Sequence, residues 1–331
     1  MNSPGTLGSS LGTVIANYLA LKRALGRKFA IEGRVLAGLD RFLVTQGSDG
    51  APFTPEAFAA WCLTFAHLCP IARRNCMRIV RNLCLYRRRT DPSCFVPDAA
   101  TFPASHPPRP PHIFSEQDIV RLLQIADELP SRSTAPLRGP MYRLAIVLLY
   151  TAGLRRGELV RLVLSDYDPV ERTLLVRASK FHKSRLVALS QDAAREMEAY
   201  LRVRHRLPHD ADSPLLVCSY QGLRARSGCG LGQSLHRLFD RAGLRTASGR
   251  VPRVHDLRHT HAVHVLLRWY HAGVDVQAKL PALATSMGHV SVVSTAYYLR
   301  LLDPVAEAAS ARFARHCAGW LAPLPGGGGE R

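Results

Sequence analysis

The chain has 331 residues, with 44 lysines and arginines against 25 acidic residues and a formal charge of +19 at pH 7. Its 47% apolar content provides for two buried cores and excludes a disordered basic tail. The charge excess favours a polyanionic partner over the bland alternative of a merely basic protein, because arginine's planar fork suits phosphate.

No run of 18 apolar residues occurs, so no membrane span is expected. Met1 to Tyr18 lacks the basic-then-apolar order of a secretion signal. The eight cysteines form no C-x-x-C pair and are expected to be reduced, mostly buried thiols of a cytoplasmic, nucleoid-associated protein.

Leu11 to Leu43 reads as helical, with Ile15, Leu19, Leu25, Val35, Leu39 and Phe42 at helical spacing. After a turn at Gly47–Gly50, Thr54-Pro55-Glu56 predicts a helix start with Thr54 as cap. Phe58, Trp61, Cys62 and Phe65 supply that helix's buried face. A third helix, Ile71 to Arg89, carries Arg74, Arg78 and Arg81 on one face at i, i+4, i+7. With few acidic neighbours, that face is expected to follow a phosphate backbone; a solvated basic face is the alternative. Residues 1–100 are therefore read as a helical DNA-gripping domain. Pro103, Pro107, Pro108 and Pro110 predict a semi-rigid strap over residues 101–112. Two basic domains joined by such a strap are expected to close on a duplex from opposite sides.

Residues 113–322 are expected to form an α+β domain, mainly α with a small antiparallel β-sheet, and 323–331 a flexible tail. Ser115-Glu116-Gln117-Asp118 predicts a capping box opening onto Ile119, Leu122 and Leu123. Met141 to Tyr150 is apolar almost all round, a buried helix stopping near Gly153. It runs into Arg155, where a guanidinium is costly unless an anion or carboxylate meets it, and Glu158 is close enough to orient it. A structural ion pair and a functional anion site fit this segment equally well. Glu171 to Ala178 and Arg185 to Leu189 are β-type runs flanking a basic hairpin tip, in which Lys180 is nearer the strand end than Lys183.

His255 and Arg258 are i, i+3 on a helix that opens after Pro252. His289 follows in Met287-Gly288-His289, and Tyr298 comes nine residues later, beside Tyr297. His255 and His259 have the i, i+4 spacing of a zinc site. However, Asp256 stands where a metalloprotease-type site needs glutamate, and Arg258 would sit beside the ion, so no metal is expected.

Arg155 in T-A-G-L-R-R-G-E-L, Lys180 in S-K-F-H-K-S-R, His255 and Arg258 in H-D-L-R-H-T, His289 in M-G-H and Tyr298 in A-Y-Y-L together resemble the tyrosine recombinase (phage integrase) family. Each fragment alone is weak, but the ordered set is specific, and the resemblance runs from about His112 to Asp303. It implies that these six residues are catalytic, with Glu158 in support. Tyr298 would form a 3′-phosphotyrosyl link; adjacent Tyr297, rotated by about 100° on a helix, would face elsewhere. Arg155, Arg258, His255 and His289 would hold the scissile phosphate, Lys180 would protonate the departing 5′ oxygen, and His255 would take the phenolic proton. No cofactor is implied.

The implied partners are double-stranded DNA, touched also by Lys183, other copies in a tetramer on paired sites, and accessory recombinases. The K-F-H-K-S-R segment and the long C-terminal part are similar to mobile-element integrases and transposases. In two departures, Ser179 replaces a frequent glycine and the stretch from Arg258 to His289 is longer than in compact members. A type IB topoisomerase-like relaxase and a non-catalytic DNA-binding regulator remain as alternatives. Ala306, Ala309, Phe313 and Cys317 predict a terminal helix that docks on a neighbour or on its own domain.

Overall fold

A left-handed turn divides the first helical stretch in two. The computed structural model describes residues 7–27, 29–47, 52–104, 109–131, 133, 135–177, 184–217, 228–289, 295, 296, 298, 299, 307 and 310–315. In it α1 (Gly12–Ala24) ends before Gly26, whose φ is +76°, and α2 (Ala30–Thr45) begins after Phe29 at φ +43°. Apolar spacing runs on across this break, so periodicity alone reads one stretch where there are two helices. α3 (Pro55–Leu63) starts as expected: the Thr54 hydroxyl accepts from the Ala57 N–H at 3.2 Å, with Pro55 in the first turn.

α4 (Pro70–Arg87) buries Met77, Ile79, Val80, Leu83 and Cys84 against Leu11 and Ile15 of the α1 side and Leu36 and Leu39 of α2. Phe53, Phe58, Phe95 and Phe102 meet in edge-on and tilted ring pairs within this core. Phe102 is thereby buried, so the first residues of the proline-rich strap belong to the helical unit. The chain divides into two compact units, Met1–Arg109 and Pro110–Arg331.

In the second unit, α5 (Glu116–Asp127) opens with a reciprocal capping box: the Asp118 N–H donates to Ser115 Oγ and the Ser115 N–H to Asp118 Oδ2. The nearly all-apolar α6 (Arg138–Thr151) must be covered on every side. α5, α8 (Gln191–Arg204) and α10 (Val254–His271) pack around it, and α9 (Gly228–Arg241) closes on α5. The short α7 (Arg156–Leu159) follows α6, and α11 (Val276–Met287) packs on α10. β1 (Tyr167–Asp168), β2 (Thr173–Val176) and β3 (Arg185–Ala188) form an antiparallel sheet in that order, with Leu174 opposite Val187 and Val176 opposite Arg185. β1 was not foreseen, because two residues are too few to show alternation. The fold is thus mainly α with a small antiparallel sheet.

The hairpin tip with Lys180 and Lys183, the glycine-rich tail and most of the terminal helix lie outside the described residues. Within 310–315, Arg312 donates to the carbonyls of Gly273 and Val274 of its own unit. Among the six described cysteines, all free, only Cys84 and Cys94 are buried, while Cys69 and Cys229 are exposed. That corrects the expectation of mostly buried thiols: apolar spacing marks which face a residue shares, not how deeply that face is covered. Among the described residues no helix is long and apolar enough to cross a membrane.

Candidate active site

The site is built on two glycine turns. α6 stops at Gly153, whose φ of +59° strongly favours glycine and where a Cβ would lie 2.6 Å from the His261 ring. The turn delivers Arg155 to the start of α7. There the Arg155 N–H and guanidinium both bond Glu158, at 3.0 and 2.7 Å. Glu158 also receives Arg185 from β3, at 3.1 and 2.9 Å, and its side chain is only 2% exposed. Burial pushes this carboxyl's pKa up. The bonds from Arg185 and from the Arg155 N–H outweigh burial and hold it at about 2. Glu158 is therefore an anion that holds two guanidiniums in place.

The second turn ends α11 at Gly288, φ +65°. The last carbonyls of a helix lack intrahelical partners and carry its negative end. Three arginines satisfy them here: Arg185 Nε donates to Ser286 O at 2.7 Å, Arg258 Nη2 to Met287 O, and Arg155 Nη2 to Gly288 O at 2.7 Å. A Cβ on Gly288 would sit 2.8 Å from Arg185 Nη1 and 3.2 Å from Arg155 Nη1. Arg258 also donates to Gly153 O, so its guanidinium links both turns. It is 1% exposed, and burial, then the charge of Arg155, push its pKa down to about 9.

α10 supplies Arg258, His255 and His259 from its first turns. Asp256, at the third helical position, accepts the Arg253 N–H at 2.8 Å and pairs with its guanidinium, so this carboxylate caps the helix. His255 is exposed, and the surrounding protein and then Arg258 lower its pKa. His289, set by the Gly288 turn, bonds Thr295 Oγ1 through Nδ1 at 2.7 Å; burial, then Arg258 and Arg155, hold its pKa at about 4. Tyr298 is 3% exposed among Ala262, Val263, Leu266, Leu283 and Met287, and its hydroxyl lies 2.8 Å from His259 Nδ1.

Arg155, Glu158, His255, Arg258, His289 and Tyr298 therefore meet at one cationic centre, across 144 residues of chain (298 minus 155, plus 1). The imidazole at the Tyr298 hydroxyl is His259, in the place the sequence reading reserved for His255. That reading weighed His259 only as a candidate zinc ligand, and set zinc aside. It also assigned nothing to Thr295, or to Arg185, although Arg185 closes the quoted S-K-F-H-K-S-R segment and is the first residue of a strand. Among the described residues no group of three or more His, Cys, Asp or Glu side chains is placed to hold a metal ion.

The arginines of α4 belong to the first unit. Arg78 is exposed and Arg81 half-buried, while Arg74 already donates to Pro103 O at 2.8 Å.

The phage integrase family profile matches residues 112–304. A Sinorhizobium fredii protein that carries the name integrase/recombinase is 34% identical over 294 residues, 88% of this chain and 93% of its own. Tyrosine recombinase XerD of Rhizobium meliloti is 33% identical over 194 residues, 58% of each chain. The solved Tn1549 transposon integrase in complex with a circular intermediate DNA shares the fold, with a TM-score of 0.63 at 18% identity over 92% of this chain and 98% of that one. The profile spans more than half of the sequence and the first of these relatives most of it, and so the chain belongs to the phage integrase family, among the tyrosine recombinases.

Proposed function

We propose that this protein cuts and rejoins double-stranded DNA at specific sites through a 3′-phosphotyrosyl link to Tyr298, in the integration or transposition of a mobile element. The observation that carries the proposal is the convergence of Arg155 and Arg258 on the end of α11, with His255, His289 and Tyr298 around them.

Transfer of a phosphodiester between oxygens develops negative charge on the non-bridging oxygens of a five-coordinate phosphorus. Guanidinium and imidazole donors fixed beforehand stabilise that charge without reorganising. Arg155, Arg258, His255 and His289 take this role, and Glu158 positions Arg155 from behind. An unassisted phenol, with a pKa of about 10, is scarcely ionised at neutral pH, so the pocket must assist the Tyr298 hydroxyl as it attacks. Lys180 protonates the departing 5′ oxygen. The phosphotyrosyl bond conserves the energy of the bond it replaces, and attack by another 5′ hydroxyl needs no nucleotide hydrolysis.

In this reading the helical unit grips the duplex, with Arg78, Arg81 and Arg74 along its backbone and Lys183 at the hairpin tip. Other copies assemble as a tetramer on paired sites, with accessory recombinases where the element requires them, on nucleoid DNA.

The test is incubation with nicked duplex DNA and mapping of the trapped residue and phosphate. Tyr298→Phe should abolish the covalent adduct while DNA binding stays nearly intact; an adduct that persists makes Tyr297 or another group the nucleophile. Two-site recombination measured beside supercoil relaxation separates a recombinase from a relaxase.

A further inference from the structure

Two histidines stand one turn apart at the start of α10 in different settings. His255 is exposed and open to a ligand. His259 is half-buried, with Nδ1 2.8 Å from the hydroxyl oxygen of the almost fully buried Tyr298. The two rings meet edge to face, with centroids 4.7 Å apart. We propose that His259, and not His255, orients the Tyr298 hydroxyl and accepts its proton as the phenolic oxygen attacks phosphorus. The inference rests on Tyr298 being the nucleophile.

A neutral phenol facing a neutral imidazole donates its hydrogen bond, which leaves the His259 proton on Nε2 and the Nδ1 lone pair toward the hydroxyl. The groups facing His259 are His255, Asp256, Arg253 and Arg258 on or just before α10, His289 just after α11, and Tyr298 from the C-terminal segment. Burial, then His255, hold its pKa at about 4 against the opposing pull of Asp256, so the lone pair is free at neutral pH. Such an imidazole is a poor base for a phenol by itself. A phosphodiester entering beside His255 and Arg258 brings negative charge that offsets the Arg258 and Arg253 cations and raises the proton affinity of His259. His259 thus becomes an effective acceptor only once the phosphate is in place.

The step balances as follows. The Tyr298 oxygen bonds phosphorus while the bond to the 5′ oxygen breaks; the phenolic proton passes to His259 Nδ1, and Lys180 gives a proton to the 5′ oxygen. On rejoining, the incoming 5′ hydroxyl returns its proton to Lys180, and the imidazolium returns its own to the departing phenolate. His255, free of the hydroxyl, donates to a non-bridging oxygen.

The experiment compares wild type, His259→Asn, His259→Ala and His255→Asn in the full chain. Single-turnover adduct formation on nicked DNA is followed over about pH 6 to 9, with and without added imidazole. DNA binding and thermal melting report the fold. Asparagine keeps a polar group near Nδ1 but cannot take the proton. Both His259 variants should bind DNA normally and cleave on the order of 100- to 1000-fold more slowly, with a rate that climbs with pH, and imidazole should restore part of the His259→Ala rate. Full activity in His259→Asn, or a slow His259→Ala that imidazole leaves unmoved, overturns proton acceptance by His259. The same holds if the pH profile is changed by His255→Asn alone. Wild type forming no adduct, or one away from Tyr298, refutes the nucleophile assignment itself and so takes the inference with it.

Discussion

The guanidinium of Arg155 reaches the carbonyl oxygen of Gly288, 133 residues further along the chain, at 2.7 Å. That contact exists because a left-handed glycine turns the end of α11 toward the arginines. Gly288→Ala should therefore damage the site twice. An L side chain in this conformation costs about 1–2 kcal/mol, and the new methyl would press on the guanidiniums of Arg185 and Arg155. A lower melting temperature and adduct formation slowed roughly tenfold or more are expected, with DNA binding changed by only a few fold; the slowing corresponds to about 1.4 kcal/mol of barrier. Melting curves and single-turnover cleavage check it.

Glu158 is the shared counter-charge of Arg155 and Arg185. Arg185→Met removes one partner from a buried carboxylate, a change that typically destabilises by about 3–5 kcal/mol. Because the folded pKa of Glu158 is depressed to about 2 from the ordinary 4.5, its contribution is fully present above about 4.5 and is lost as pH falls toward 2. Glu158→Gln should accordingly lower stability at pH 7 and flatten the acid limb of the stability curve. Denaturant melts across that range measure both.

Arg155→Ala should slow cleavage about 100- to 1000-fold, the usual loss for a fixed donor to a developing oxyanion. Lys180→Arg should be comparably slow for another reason, since a guanidinium does not give up its proton. Replacing the bridging 5′ oxygen by sulfur, a far better leaving group, should rescue the Lys180 variant and not the Arg155 variant.

Arg78→Ala should weaken binding to all DNA sequences and lower the salt-dependence slope by about 1, as removal of a single phosphate contact does. Arg74→Ala should change that slope less and lower the melting temperature more, because its guanidinium holds Pro103 O. Binding titrations at several salt concentrations distinguish the two.

Much of the molecule was legible in the order of residues. Thr54 and Ser115 each cap the helix they were expected to cap, because a cap is settled within four consecutive residues. The all-round apolar α6 could only be central. The ordered arginine, lysine, histidine and tyrosine motifs pointed to the family before any contact was known. The break at Gly26–Phe29, the two-residue β1 and the role of Arg185 were not legible. Nor was the choice between His255 and His259, since helical spacing puts the two one turn apart and says nothing of what approaches either.

Local stereochemistry and apolar period thus determined by themselves where most helices begin and which face each buries. Only tertiary packing decided that Ser286, Met287 and Gly288 would present their carbonyls to Arg185, Arg258 and Arg155, over separations of 101, 29 and 133 residues. The physical reason is that a helix end has unpaired acceptors wherever it falls, but which donors reach them depends on how distant elements are packed together.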